Sequence, residues 1–222
     1  MRMLSLNFMT SSINHLLSRL TFIGIVVTCS LVSTNLKAQE FPSRVWHEGR
    51  MVTTEKDTLR GKVMYNMETN TIQLQVSKKM LKSFSSKNIF FFEIYDKGVE
   101  NYRRFYSIPY KVSQNYKTPI FFEVLYEGAL TLLVREKIVL KRDPYASSYG
   151  GSGSATMEKL VYTYYFVDKK GNMKEYNSGK RNDLLMLFDK NSDMVKKFIK
   201  TNSLRTDRMR DLVRITAFYN SL

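Results

Sequence analysis

Cysteine and histidine are almost missing from this 222-residue chain: Cys29 is the single cysteine, and His15 and His47 are the two histidines. Acidic residues are missing altogether before Glu40, while Arg2, Arg19 and Lys37 supply positive charge there. Between Arg19 and Lys37 runs the uncharged stretch "LTFIGIVVTCSLVSTNL", most apolar at Leu20 to Val27, and small Ala38 follows. A basic start, an apolar run and a small-residue cleavage site predict a secretory signal peptide over residues 1–38. The alternative is a retained membrane anchor. Thr28, Ser30, Ser33, Thr34 and Asn35 interrupt the apolar run, which is already short for a span. A lipid anchor on Cys29 is disfavoured, because "VVTC" has threonine where a smaller residue is required.

Cleavage after Ala38 leaves residues 39–222, enough for one domain with its own core. Cys29 leaves with the signal, so disulfides, thiolate nucleophiles and cysteine-based zinc sites are excluded from the mature chain. Three of the 35 basic residues leave too, and none of the 20 acidic ones, so 32 face 20 and the net charge is +12. Such a domain is drawn to nucleic acid, an anionic lipid or an anionic glycan, and an envelope protein is a further candidate partner. Export argues against nucleic acid as the partner.

Glycine is sparse as well, and three of the ten residues fall in "YGGSG" at 149–153. A phosphate-binding loop needs Gly-Lys-Ser/Thr before a helix, but no lysine follows Gly153 and the next segment reads as a strand. A hydrolase elbow needs G-x-S-x-G; Ser152 has Gly150 before it but Ser154 after it, and His47 is the only base left to serve it. The segment reads as a loop between strands. No cluster of ligands for zinc is present, and "DKNSD" at 189–193 lacks the glycine of a calcium loop, so it reads as a turn between helices. No metal or cofactor is expected. Glu93 and Glu123 each end a Phe-Phe-Glu triplet, a setting that raises a carboxyl pKa and suits the acid–base chemistry of glycan hydrolysis.

Alternating apolar and polar residues predict strands from residue 43 to 141. Val45, His47, Gly49 and Met51 share one side of the first, and Ile72, Leu74 and Val76 one side of "TIQLQV". "TLRGKVMY", "KNIFFFEIYD" and "NYRRFYSI" continue the pattern, and Pro109 and Pro119 bracket a polar connection. "PIFFEVLY" turns at Glu127-Gly128 into "ALTLLVREKIVLKR", and "KLVYTYYFV" pairs with "MKEYN" across "DKKGN". From about residue 181 the spacing becomes helical, with Met194, Val195, Phe198 and Ile199 on one side and Met209, Leu212, Val213 and Ala217 on another. Asn182 or Asp183 is expected to cap the first helix, and Thr206 or Asp207 the last. The expectation is an α+β, mainly β domain over residues 39–222: an antiparallel sheet or open barrel of eight or nine strands, capped by three short helices.

The signal ending near "AQ", the β-rich body and the close "FIKTNSL…DLVRITAFYNSL" resemble small exported proteins of uncharacterised function common in Bacteroidota. The resemblance implies export and a broad shape, and no catalytic residue.

All fourteen tyrosines lie beyond the signal. Tyr102, Tyr106, Tyr110, Tyr116, Tyr145 and Tyr149, interleaved with Arg103, Arg104 and Arg142, form the candidate binding residues, since tyrosine offers a rigid amphipathic contact surface. The expectation is an exported binding or scaffolding protein of the cell envelope, in the periplasm, at the outer membrane or secreted, without catalysis. The alternative is a carrier of a small apolar ligand or lipid in a barrel-like cavity. A glycan-active hydrolase comes third, and needs Glu93, Glu123 or His47 to share a cleft.

Overall fold

The computed structural model describes residues 40–113, 116–142 and 156–222. The expected signal segment, and the Gly/Ser segment with Tyr145 and Tyr149, lie outside the described residues. Ten strands follow one another: β1 (His47–Thr53), β2 (Thr58–Asn66), β3 (Thr71–Ser77), β4 (Met80–Ser85), β5 (Ile89–Asp96), β6 (Asn101–Ser113), β7 (Tyr116–Tyr126), β8 (Leu130–Arg142), β9 (Thr156–Asp168) and β10 (Met173–Tyr176). They make one antiparallel sheet in the order β10-β9-β8-β7-β6-β5-β1-β2-β3-β4, open at both ends. Residues Phe41–Leu222 form one compact unit.

The mainly β architecture and helical close match the expectation, with two corrections. The count is ten, because "MLKSFS" forms β4; as an edge strand with four exposed residues it carries no alternating signal. The stretch between Pro109 and Pro119 is the end of the β6–β7 hairpin, with the two prolines directly opposite each other. In a pair that exchanges no hydrogen bonds, both nitrogens point away from the shared ladder. They point to where β5 and β8 no longer run alongside, since β5 pairs with β6 only as far as Tyr106 and β8 with β7 only from Glu123. Neither proline therefore loses a bond.

The sheet is strongly curled. The Tyr65 hydroxyl on β2 donates to Glu136 on β8 at 2.6 Å, although β1, β5, β6 and β7 lie between those strands in the sheet. The face carrying both residues is the inner one. Met51, Val63, Leu74, Phe92, Ile94, Phe105 and Phe121 fill its first half and are fully buried. Phe92 and Phe105 stack with ring centroids 4.5 Å apart, and Phe121 meets Phe92 edge-on at 5.1 Å. Burying each such side chain contributes roughly 1.5–3 kcal/mol.

At its far end β7 has no strand beside it on the β8 side, and turns supply what a ladder would. The Phe121 N–H donates to the Asn70 side chain at 3.1 Å, and the Phe121 carbonyl accepts from Arg135. Arg135 also donates to the carbonyl of Met67 at 2.5 Å, and the Pro119 carbonyl accepts from Ser86 at 2.6 Å. The β2–β3 and β4–β5 turns thus dock along the edge of β7.

The helices α1 (Arg181–Leu185), α2 (Ser192–Thr201) and α3 (Met209–Asn220) cover the inner face of β8 to β10. Val195, Ile199, Leu212 and Ile215 pack on Leu132, Val134, Tyr164 and Phe166. The expected caps are corrected. Lys180 and Arg208 occupy the N-cap positions of α1 and α3 without a side-chain bond. Asp207 is instead held by Arg205, at 3.0 and 2.6 Å. The "DKNSD" segment does join helices: Asp189, at φ 41°, breaks the helical path ahead of α2.

Candidate functional site

Alternation along β6 turns Arg103 to the same side as Phe105, into the curled sheet. There its guanidinium gathers three carboxylates from three strands. It donates to Glu123 at 2.9 and 2.7 Å, to Glu136 at 2.9 Å and to Asp96 at 3.0 Å. Tyr65 adds its hydroxyl to Glu136, and the N–H of Gly98 reaches Asp96 at 2.9 Å. All six carboxylate oxygens therefore accept a hydrogen bond. Burial raises the Glu123 carboxyl above its ordinary value even though Arg103 opposes it, and the charges of Glu136 and Asp96 push the same way. Burial also works against the Arg103 cation, but its carboxylates outweigh that and raise its pKa. The cluster ties β2, β5, β6, β7 and β8 together between the two halves of the inner face. One open cleft of about 320 Å³ reaches Glu123 past Val99, Leu125, Tyr162 and Met209. A smaller one of about 180 Å³ reaches Glu136 beside Arg44 and Glu158.

The outer face differs. Gly49 and Gly61 sit directly opposite each other on β1 and β2. A Cβ on Gly49 would stand 2.4 Å from the Glu93 carbonyl oxygen, and one on Gly61 2.3 Å from that of Gln75, so the strands bend closely together only because both are glycine. Over them lies a shallow saddle of about 460 Å³ lined by Glu48, Arg50, Arg60, Glu93, Tyr95 and Tyr102. Arg50 and Arg60 are direct cross-strand neighbours. Glu93 takes Arg104 at 2.8 and 3.0 Å and Arg50 at 3.3 Å. Partial burial pushes the Glu93 carboxyl up, but the two arginines prevail and hold it below the ordinary range. Tyr95 and Tyr102 meet edge-on at 5.2 Å, and Phe90, Phe91 and Tyr106 form a second aromatic group beside them.

The candidate binding residues separate accordingly. Tyr102, Arg104, Tyr106 and Tyr110 share the outer face, Tyr102 and Arg104 exposed, Tyr110 packed against Phe122 and Tyr165. Arg103 points the opposite way. Tyr116 and Arg142 are exposed at the start of β7 and the end of β8. Glu93 and Glu123 lie on opposite faces, as the Arg50–Glu93 and Phe105–Glu123 pairings require. His47 is buried against Tyr65, with Nε2 2.7 Å from the Pro42 carbonyl. Glu93, Glu123 and His47 therefore share no cleft. Sequence reasoning missed Tyr65, Asp96 and Glu136 on the inner side and Arg50 and Arg60 on the outer. The usable signal was parity: Asp96 alternates with Phe92 and Ile94, and Glu136 with Leu132 and Val134.

Among the described residues no group of His, Cys, Asp and Glu could hold a metal ion, and no helix is long and apolar enough to cross a membrane. No known protein family, curated protein or solved structure matches the chain.

Proposed function

We propose that this is an exported binding or scaffolding protein of the cell envelope that acts without catalysis, through the outer face of β1, β2, β5 and β6. The observation that carries this reading is the contrast between the two faces. The first half of the inner face is filled by its own side chains, and its charged cluster is hydrogen-bonded at every carboxylate oxygen. The outer face presents Tyr102 at 66 % exposure and Phe90 at 56 %, among Arg50, Arg60 and Arg104. A carrier needs enclosed apolar room inside the sheet; Met51, Phe92, Phe105 and Phe121 occupy its first half, and the remaining cleft of about 320 Å³ is open and floored by the charged Arg103 and Glu123. The basic net charge and the signal-like first residues support an envelope address with anionic partners.

The test places a photo-crosslinking residue at Tyr102, at Phe90 and, as a control, at Met186 on the helical cap. Covalent capture of one stoichiometric envelope component from the first two positions, and not from the third, is the expected result. A small apolar molecule retained by the purified protein in native mass spectrometry would favour the carrier instead.

A further inference from the structure

From the outer-face binding reading, on which this rests, we infer that the saddle between β1 and β2 is a site for a carboxylated saccharide such as a uronic acid oligomer. Two arginines, Arg50 and Arg60, stand side by side across the strands. Like charges in that position repel, and Glu93 offsets the repulsion only in part. Glu93 bonds Arg50 only through Nε and is otherwise engaged by Arg104. Among the described residues Arg60 has no hydrogen bond or ion pair, and neither terminal nitrogen of Arg50 has one. Two guanidiniums with unbonded terminal nitrogens, that of Arg50 lying over the Phe91 ring at 5.8 Å, suit a carboxylate, which each can hold in a planar two-point bond.

The wall argues for a sugar rather than for any anion. Gly49 and Gly61, whose absent side chains would point inward towards Val63, Leu74 and Ile94, allow the close approach of the strands beneath the arginines, and they line the saddle from below. Tyr102 stands exposed at the rim, 5.2 Å from the Tyr95 ring, and its exposed surface suits the C–H face of a pyranose. The saddle, at about 460 Å³, falls within the range of small-molecule sites, roughly 300–1,000 Å³. With Lys62 and Arg104 beside it against Glu48 and Glu93, the local charge is positive and matches an acidic ligand.

Titration calorimetry on the protein purified from its own envelope tests this with tetragalacturonate, its carboxyl-reduced neutral tetramer, and tetraglutamate. Saturable binding of tetragalacturonate alone is expected. Arg60→Ala should weaken it about tenfold or more, the scale of one lost charged hydrogen-bond pair. Arg60→Lys should restore only part, and Tyr102→Ala should weaken it several-fold (about threefold, a stacking contact). Both residues are exposed, and matching circular dichroism spectra establish that the variants fold. No binding, equal binding of the neutral tetramer or of tetraglutamate, or indifference to Arg60→Ala would each overturn the assignment. A crosslink from Tyr102 to an envelope protein that survives such a result would leave the broader binding reading standing.

Discussion

The side-chain amide of Asn220 closes a two-point bond on the backbone of Leu130, donating from Nδ2 to the carbonyl at 2.8 Å and accepting at Oδ1 from the N–H at 2.9 Å. One residue at the end of α3 thus plays the part of a strand neighbour for the first residue of β8. Asn220→Ala should leave both Leu130 groups without a partner and cost about 1–3 kcal/mol in urea unfolding. A Cβ on Gly128 would lie 2.6 Å from the same amide. Gly128→Ala should therefore displace the clamp, and its cost should overlap with that of Asn220→Ala rather than add to it.

Arg103 holds three buried carboxylates. Its replacement by methionine leaves them facing one another without a cation, a loss of about 3–5 kcal/mol of the kind seen when one partner of a buried ion pair is removed. Denaturant midpoints at neutral pH check it. The loss should shrink in acid, where the abandoned carboxylates take up protons.

The two Phe-Phe-Glu carboxylates should respond to pH with opposite sign. Glu123 has its folded pKa raised, so its contribution is complete below the unfolded value, about 4.3, and is lost as pH rises through the folded pKa. Glu93 has its folded pKa lowered, so its contribution is present above that unfolded value and is lost as pH falls through the folded pKa. Relative to wild type, Glu123→Gln should gain stability from pH 4 towards 8, whereas Glu93→Gln should lose it. Urea unfolding across that range, with both variants sloping the same way, would refute the assignment.

Asn70 replaces a strand for Phe121. Asn70→Ala should abolish the slow hydrogen exchange of the Phe121 amide, while the amides of the β6–β7 ladder stay protected, and should cost about 1–3 kcal/mol. Equal protection at Phe121 in variant and wild type would show that the amide has another partner.

β4 ends the sheet, with Met80 and Leu81 exposed beside Lys78, Lys79 and Lys82. Lysines on an open edge oppose pairing with another chain. Lys82→Val should raise light scattering with time at unchanged fold, and Leu81→Lys should lower it.

Most strands were legible because they bury apolar side chains, and where only one side is buried, as in "TIQLQV", alternation reports the inner face directly. β4 was not, because an edge strand exposed on both faces has no reason to alternate. Pro109 and Pro119 misled because proline marks a break unless its nitrogen faces an empty flank, and the flank is a tertiary fact. The site was legible only in part. Tyr102 and Arg104 carry their own exposure in the pattern, but the adjacent Arg103 reads like them and points inward. The three carboxylates that hold it come from distant strands, and only the curl of the sheet brings Glu136 within reach of Tyr65.

Strand order has a kinetic consequence. Every pair of neighbours in the sheet is also consecutive along the chain, except β1 and β5. The chain can thus assemble as two local meanders, β1 to β4 and β5 to β10, in each of which every strand pairs with the next in sequence. A single long-range seam, Gly49 to Thr53 against Ile89 to Ile94, then joins them. The entropy of long loop closure falls almost wholly on that seam, so folding should be paced there. Two fragments divided between β4 and β5 should find each other along the same line.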